Sequence, residues 1–175
     1  MKYFKLLLVV FVSVALASCS ASRQVSSNPD TFSWNYEIEP TLGQATQGSI
    51  LVKVWSYSKN KEIAQTHAAR NAIHGILFKG VAAMNNEDIR VPAQRPMITD
   101  VDAEAKHEAF FKQFFADGGK YMKYVNFVNN GIPAPGDIIH VQNQYKIGVR
   151  VSVAKDALRK EMEAAGIIKP LGAGF

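Results

Sequence analysis

Between Thr31 and Ile38 apolar side chains fall at every second position, through Phe32, Trp34, Tyr36 and Ile38, and this period of two predicts a strand with one buried face. Pro40 and Gly43 end it. Ser49 to Ser58 is the clearest strand of the chain: Ile50, Val52, Val54 and Ser56 share one face, while Leu51, Lys53, Trp55 and Tyr57 share the other. Apolar groups on both faces predict a central place in a sheet. From Asn60 to about Val81 the period becomes helical, with Ser58 or Asn60 available as N-cap and Glu62 in the first turn. Ala64, Ala68, Ala72 and Gly75 form a line of small residues that lets this helix approach a sheet closely. Ala69, Ile73, Ile76 and Leu77 supply the bulkier core-facing surface. Gly80 and the Asn85-Asn86 pair mark where it ends.

Asn85 to Asp102 holds Pro92 and Pro96 and no sustained period, so it reads as a long connection with a short extended piece at Ile89 to Val91. Connections of this length are often functional, which makes this the first place to look for a partner surface. Ala103 to Phe115 resumes a helical pattern with a stripe of Phe110, Phe111, Phe114 and Phe115, stopped by Asp117-Gly118-Gly119. Lys120 to Asn129 predicts a strand through Tyr121, Met122, Tyr124, Val125, Phe127 and Val128. Ile138 to Gln142 and Tyr145 to Val153 predict a hairpin turned near Gln142 to Gln144, and Ala154 to Ala165 a last amphipathic helix closed by Gly166. The fold class that follows is α+β, with helices packed on one face of a largely antiparallel sheet.

The amino-terminal pattern is of another kind. Lys2 and Lys5 precede an apolar run from Leu6 to Leu16 that is short for a membrane span, and the run closes on Leu16-Ala17-Ser18-Cys19. A hydrophobic residue, two small residues and a cysteine form a lipobox, in which the thiol of Cys19 receives diacylglycerol and the signal is cut ahead of it. The competing readings are an ordinary secretory signal and an uncleaved anchor helix. A simple secretory signal would leave Cys19, the only cysteine of the chain, unpaired in an oxidising compartment, which is disfavoured. Ser20 stands where lipoprotein sorting in Gram-negative bacteria reads aspartate as an inner-membrane retention signal. Ala21 to Val25 lacks the acidic cluster that resembles a surface-export signal. The expectation is therefore the outer membrane, lipid-anchored and facing the periplasm.

Three segments result: a signal peptide over 1–18, a lipidated tether over 19–30 rich in serine with Asn28 and Pro29, and a single α+β domain over 31–175. Removing the signal leaves 157 of the 175 residues, enough for a core of its own. It also removes Lys2 and Lys5, so the formal charge falls from +5 to +3. The remaining basic residues are scattered, and this is no nucleic-acid signature. Without a second cysteine there is no intramolecular disulfide.

Lys53 to Tyr57 leading into Ala68-Ala69-Arg70-Asn71-Ala72-Ile73-His74-Gly75-Ile76-Leu77-Phe78-Lys79-Gly80, together with Val149 to Val153 and Asp156 to Lys160, resembles uncharacterised lipoproteins of Bacteroidetes-type bacteria. The strand followed by a helix carrying Ala-Arg-Asn-Ala is also similar to the amino-terminal domain of flagellar T-ring proteins and the small outer-membrane lipoproteins related to it. The resemblance implies a role in envelope assembly and carries no catalytic residue with it.

Candidate chemistry is sparse. His67, Arg70, Asn71 and His74 share a polar arc of the long helix, but the two histidines are two turns and about 10 Å apart. Zinc sites on one helix use i, i+3 or i, i+4 spacing, so the arc is expected to face solvent or a loop. Asp100, Asp102, Glu104 and His107 crowd the start of the second helix, where acidic groups favour the positive end of the helix dipole. No Gly-x-Ser-x-Gly elbow and no glycine-rich phosphate loop is present. Trp34, Tyr36, Trp55 and Tyr57 could stack on sugar rings or fill the core. The expected function is a non-enzymatic scaffold or accessory in an envelope assembly. Its partners would be membrane lipid through acylated Cys19 and an envelope protein, with no catalytic residue, cofactor, metal or nucleic acid. The alternative is a glycan- or small-ligand-binding envelope module. Exposed apolar surface at the 85–102 connection or at the tail, Leu171 to Phe175, would favour the first, and convergent polar groups the second.

Overall fold

The computed structural model describes residues 34–172 apart from 44, 61–63 and 86–89. Cys19, the 19–30 tether, Phe32, Glu62, Ile89 and Ala173 to Phe175 therefore lie outside the described residues. Ser33–Phe175 form one compact unit.

Strand β1 (Tyr36–Pro40) and strand β2 (Ile50–Ser58) pair antiparallel, with Tyr36 opposite Ser56 and Pro40 opposite Val52. Proline lacks the amide a central strand needs, and it sits here on an edge strand. Helix α1 (Ala64–His74) follows and runs into a π turn (Gly75–Lys79). The two short strands β3 (Met84–Asn85) and β4 (Arg90–Val91) form a hairpin of their own, extended by a bridge between Val81 and Gln94. After it come α2 (Ala103–Lys106), α3 (Glu108–Phe114) and a 3-10 turn (Lys120–Tyr124) that leads directly into β5 (Val125–Phe127). A second 3-10 turn (Val128–Gly131), β6 (Ile138–Val141), β7 (Gln144–Val153) and α4 (Lys155–Ala164) complete the order.

The main sheet is entirely antiparallel. It runs β1-β2-β7, and the far edge of β7 is shared: β6 pairs its first half and β5 its last three residues. Helix α1 packs against β2, β7 and β5. The fold is α+β with an antiparallel sheet, as the sequence pattern predicts.

The core follows from the period of two. Val52 and Val54 of β2 and Ile147, Val149, Val151 and Val153 of β7 are fully buried, and so are Ala68, Ala69, Ala72, Ile73 and Leu77 of α1 and the π turn. Burying each large side chain fully contributes about 1.5–3 kcal/mol. The small-residue line works as expected at Gly75, where a Cβ would stand 2.8 Å from Ile38 Cδ1 of β1.

Three local expectations are corrected. The strand expected over Lys120 to Asn129 shrinks to Val125–Phe127, because the chain first turns through 3-10 geometry that drives Tyr121 fully into the interior. The helix expected over Ala103 to Phe115 breaks in two at His107. The first strand starts at Tyr36, and Trp34 lies just before it, half-buried.

Candidate functional site

The polar and aromatic residues of interest gather in two places, one on each side of the sheet. The arc of α1 that carries His67, Arg70, Asn71 and His74 does not face solvent as a unit. Asn71 is 6% and His74 5% exposed, because Ser56 and Tyr36 of the sheet meet them on one side and the rings of Trp34 and Phe115 close over His74 on the other. Asn71 donates to Ser56 Oγ at 2.9 Å, so each group has a partner in the interior. Arg70 reaches out to pair with Asp117.

His74 is the hub of an aromatic cluster. The Trp34 ring stacks on it at 3.8 Å with planes 18° apart, and Phe78 and Phe115 close the sides. Tyr36 donates its hydroxyl to Nδ1 at 2.6 Å, while Nε2 faces Glu104 Oε2 of α2 at 3.7 Å. Burial holds the imidazole below its ordinary pKa in spite of the Glu104 carboxylate, so it is neutral at pH 7, and the Nε2–H tautomer suits both neighbours. The Tyr36 phenol is pushed up, first by burial and then by Glu104. Glu104 is held low by the His74 ring and also accepts from the Trp34 indole. Every polar group here is taken by another member of the cluster. It is a clamp that ties the chain ahead of β1 to α1 and α2.

The acidic group at 100–107 divides accordingly. Asp100 accepts the Asp102 amide at 3.0 Å and the Lys106 ammonium at 2.7 Å, which is ordinary chemistry for a helix start. Glu104 leaves that group for His74. Among the described residues no three His, Cys, Asp or Glu side chains gather in a way that could hold a metal ion.

The second meeting place is the opposite face of the sheet. Alternation puts Lys53, Trp55 and Tyr57 of β2 there, with Glu37 and Glu39 of β1 and Lys146, Gly148 and Arg150 of β7 beside them. This face remains partly open to solvent. Trp55 is opposite Gly148, and a Cβ on that glycine would lie 2.9–3.1 Å from three atoms of the six-membered ring. The indole therefore rests on bare backbone.

Its polar edge is fixed as well: Nε1–H donates to Glu39 Oε1 at 3.0 Å. Lys53 and Lys146 place their ammonium groups 5.0 and 5.1 Å from the ring centroid. Glu37 takes the Tyr57 hydroxyl and the Lys146 ammonium, the latter at 2.7 Å, and both hold its carboxyl below the usual range. Lys53 bridges Asp137 at 3.0 Å and Glu39 at 3.8 Å. The array is a pinned aromatic surface inside a network of ion pairs.

The four aromatic residues grouped by the sequence thus belong to two structures, Trp34 and Tyr36 to the clamp and Trp55 and Tyr57 to the open face. Glu104 as the partner of His74 had no signal in its spacing. Gly148 did carry one: a glycine inside the strand run Tyr145 to Val153 marks a close approach, and the Trp55 ring is what approaches. The 85–102 connection carries its own hairpin, and Met97 and Ile98 donate their amides to Ile76 and Leu77 carbonyls of the π turn. Val101 is 94% exposed and Leu171 78%.

No protein-family model, no curated protein and no solved structure matches this chain.

Proposed function

We propose that this chain is a lipoprotein, held through acylated Cys19 at the periplasmic side of the outer membrane, whose α+β domain is a non-enzymatic recognition module of the cell envelope. The lipobox supports the anchor. The open sheet face supports recognition, and one observation carries it: Trp55 and Tyr57 are fixed by hydrogen bonds to Glu39 and Glu37 on a face that the core does not need. Solvated sheet faces are usually covered by mobile polar chains, whereas rigid aromatic rings with their polar edges already placed lose little freedom on binding. The clamp around His74 supports the non-enzymatic part of the reading, since its groups satisfy one another.

Two measurements test this. Replacing Cys19 by alanine is expected to abolish incorporation of labelled palmitate and to release the protein from membranes into the soluble fraction. Retention in the membrane without label would overturn the anchor. A photo-crosslinking side chain at Leu51, on the open face, is expected to give discrete adducts in intact cells that the same group at Ala157 of α4 does not. Equal, diffuse adducts at both positions would overturn the open face as the recognition surface.

A further inference from the structure

On the open face the carboxylates of Glu37, Glu39 and Asp137 are all engaged by groups other than Arg150. Glu37 is taken by Lys146 and Tyr57, Glu39 by Trp55 and Lys53, and Asp137 by Lys53. Arg150 has no carboxylate partner among the described residues. It also stands directly opposite Lys53 across the β2–β7 ladder. Lys53 already has Asp137 and Glu39 as counter-charges, so Arg150 is the member of this opposed like-charge pair that an added anion would serve. A guanidinium presents a planar fork of donors that matches a carboxylate.

Arg150 is two residues from Gly148 on the same face of β7, about 7 Å along the strand from the backbone under the Trp55 ring. An aromatic platform with a cationic fork beside it combines two kinds of recognition. The ring offers an apolar surface for the C–H face of a sugar, and the fork offers a counter-charge for an acidic substituent on the same or the next residue. Ser152 and Asn126, paired across β7 and β5, continue the row with neutral hydrogen-bonding groups.

We propose that the open sheet face binds an acidic glycan, a sugar chain bearing carboxylate groups, with Trp55 stacking on a sugar ring and Arg150 pairing with a carboxylate. This rests on the recognition reading above and names its ligand class. No bond is made or broken.

The test is calorimetric titration of the full-length lipoprotein in mild detergent with two probes of matched length. One is a neutral N-acetylglucosamine tetramer; the other alternates N-acetylglucosamine with N-acetylmuramic acid, whose lactyl groups are carboxylates. The acidic probe is expected to bind more tightly than the neutral one, and its affinity is expected to fall with added salt. Arg150→Gln is expected to weaken the acidic probe about tenfold or more and to leave the neutral probe unchanged. Trp55→Ala is expected to weaken both, whereas Lys160→Gln, on α4, changes neither. Urea midpoints of the variants separate lost binding from lost folding. Equal affinity for the two probes, or an Arg150→Gln protein that binds the acidic probe as the wild type does, would overturn the proposal. So would an acidic probe that does not bind. If open-face crosslinks still form in cells in that case, the ligand class is wrong and the recognition surface stands; if they too are lost, both fail.

Discussion

A single histidine shows how far a side chain's role depends on what covers it. His74 is neutral in the fold and an ordinary imidazole in the unfolded chain, so on acidification the unfolded chain takes up the proton first. Its contribution to stability is intact above the ordinary imidazole range, near about pH 6.5, and is lost as pH falls below it toward the depressed native value. The urea midpoint is therefore expected to drop between pH 7.5 and 5.5. His67 is also held low, by burial and by Arg70, and adds a slope of the same sign. A His74→Asn protein should accordingly keep only part of the dependence, and an unchanged slope would show that folding does not lower the pKa of His74. Tyr36→Phe removes the donor to Nδ1 and leaves that nitrogen buried without a partner. The expected loss is about 1–3 kcal/mol in denaturant unfolding at pH 7.5.

Among the secondary-structure elements, the end of α1 is the most constrained join. The π turn closes with the Gly80 amide on the Gly75 carbonyl at 2.7 Å, and Gly80 then takes φ 75° and ψ −174°, backbone that side chains resist. A Cβ there would stand 2.4 Å from the Gln94 carbonyl oxygen, in the segment that bridges back to Val81. Gly80→Ala is expected to cost at least about 2 kcal/mol and to lower the thermal midpoint by several degrees. Gly166→Ala has a positive φ of 71° but nothing within 4 Å of the added carbon, and should cost less than Gly80→Ala. Measuring both separates backbone strain from the clash with the neighbouring segment. The short strand β5 shows the limit of periodicity: Tyr121 and Val125 are both buried, yet four residues apart they belong to a 3-10 turn and a strand, which alternation alone does not distinguish.

Across the domain, the core is built without a disulfide, from β2, β7 and α1 with Leu158 and Met162 of α4 buried as well. Stability should therefore be a property of the domain itself. The Cys19→Ala protein is expected to unfold in one transition, with far- and near-ultraviolet circular dichroism coincident. Two separated transitions would show that the residues ahead of Ser33 contribute a unit of their own. Charge is organised over the same distances, since Glu37 and Lys146 are far apart in sequence and pair only because β2 brings β1 and β7 to its two sides.

Relations between neighbours along the chain were enough for the strand at Ile50–Ser58 with its two faces, the hairpin of β6 and β7, the closing helix with Gly166 after it, and from these the α+β class. Backbone geometry repeats every two or 3.6 residues, and apolar residues must follow it to reach a common core. The Leu16-Ala17-Ser18-Cys19 run, on which the proposed lipid anchor rests, is likewise a local pattern of consecutive residues. Three-dimensional packing had to settle the rest: that His74 meets Tyr36 and Glu104, that Trp34 and Trp55 part to opposite sides of the sheet, and that Arg150 stands opposite Lys53 without a carboxylate among the described residues. Those outcomes depend on strand register and on which layer covers a helix, and a single sequence holds no periodic signal for either.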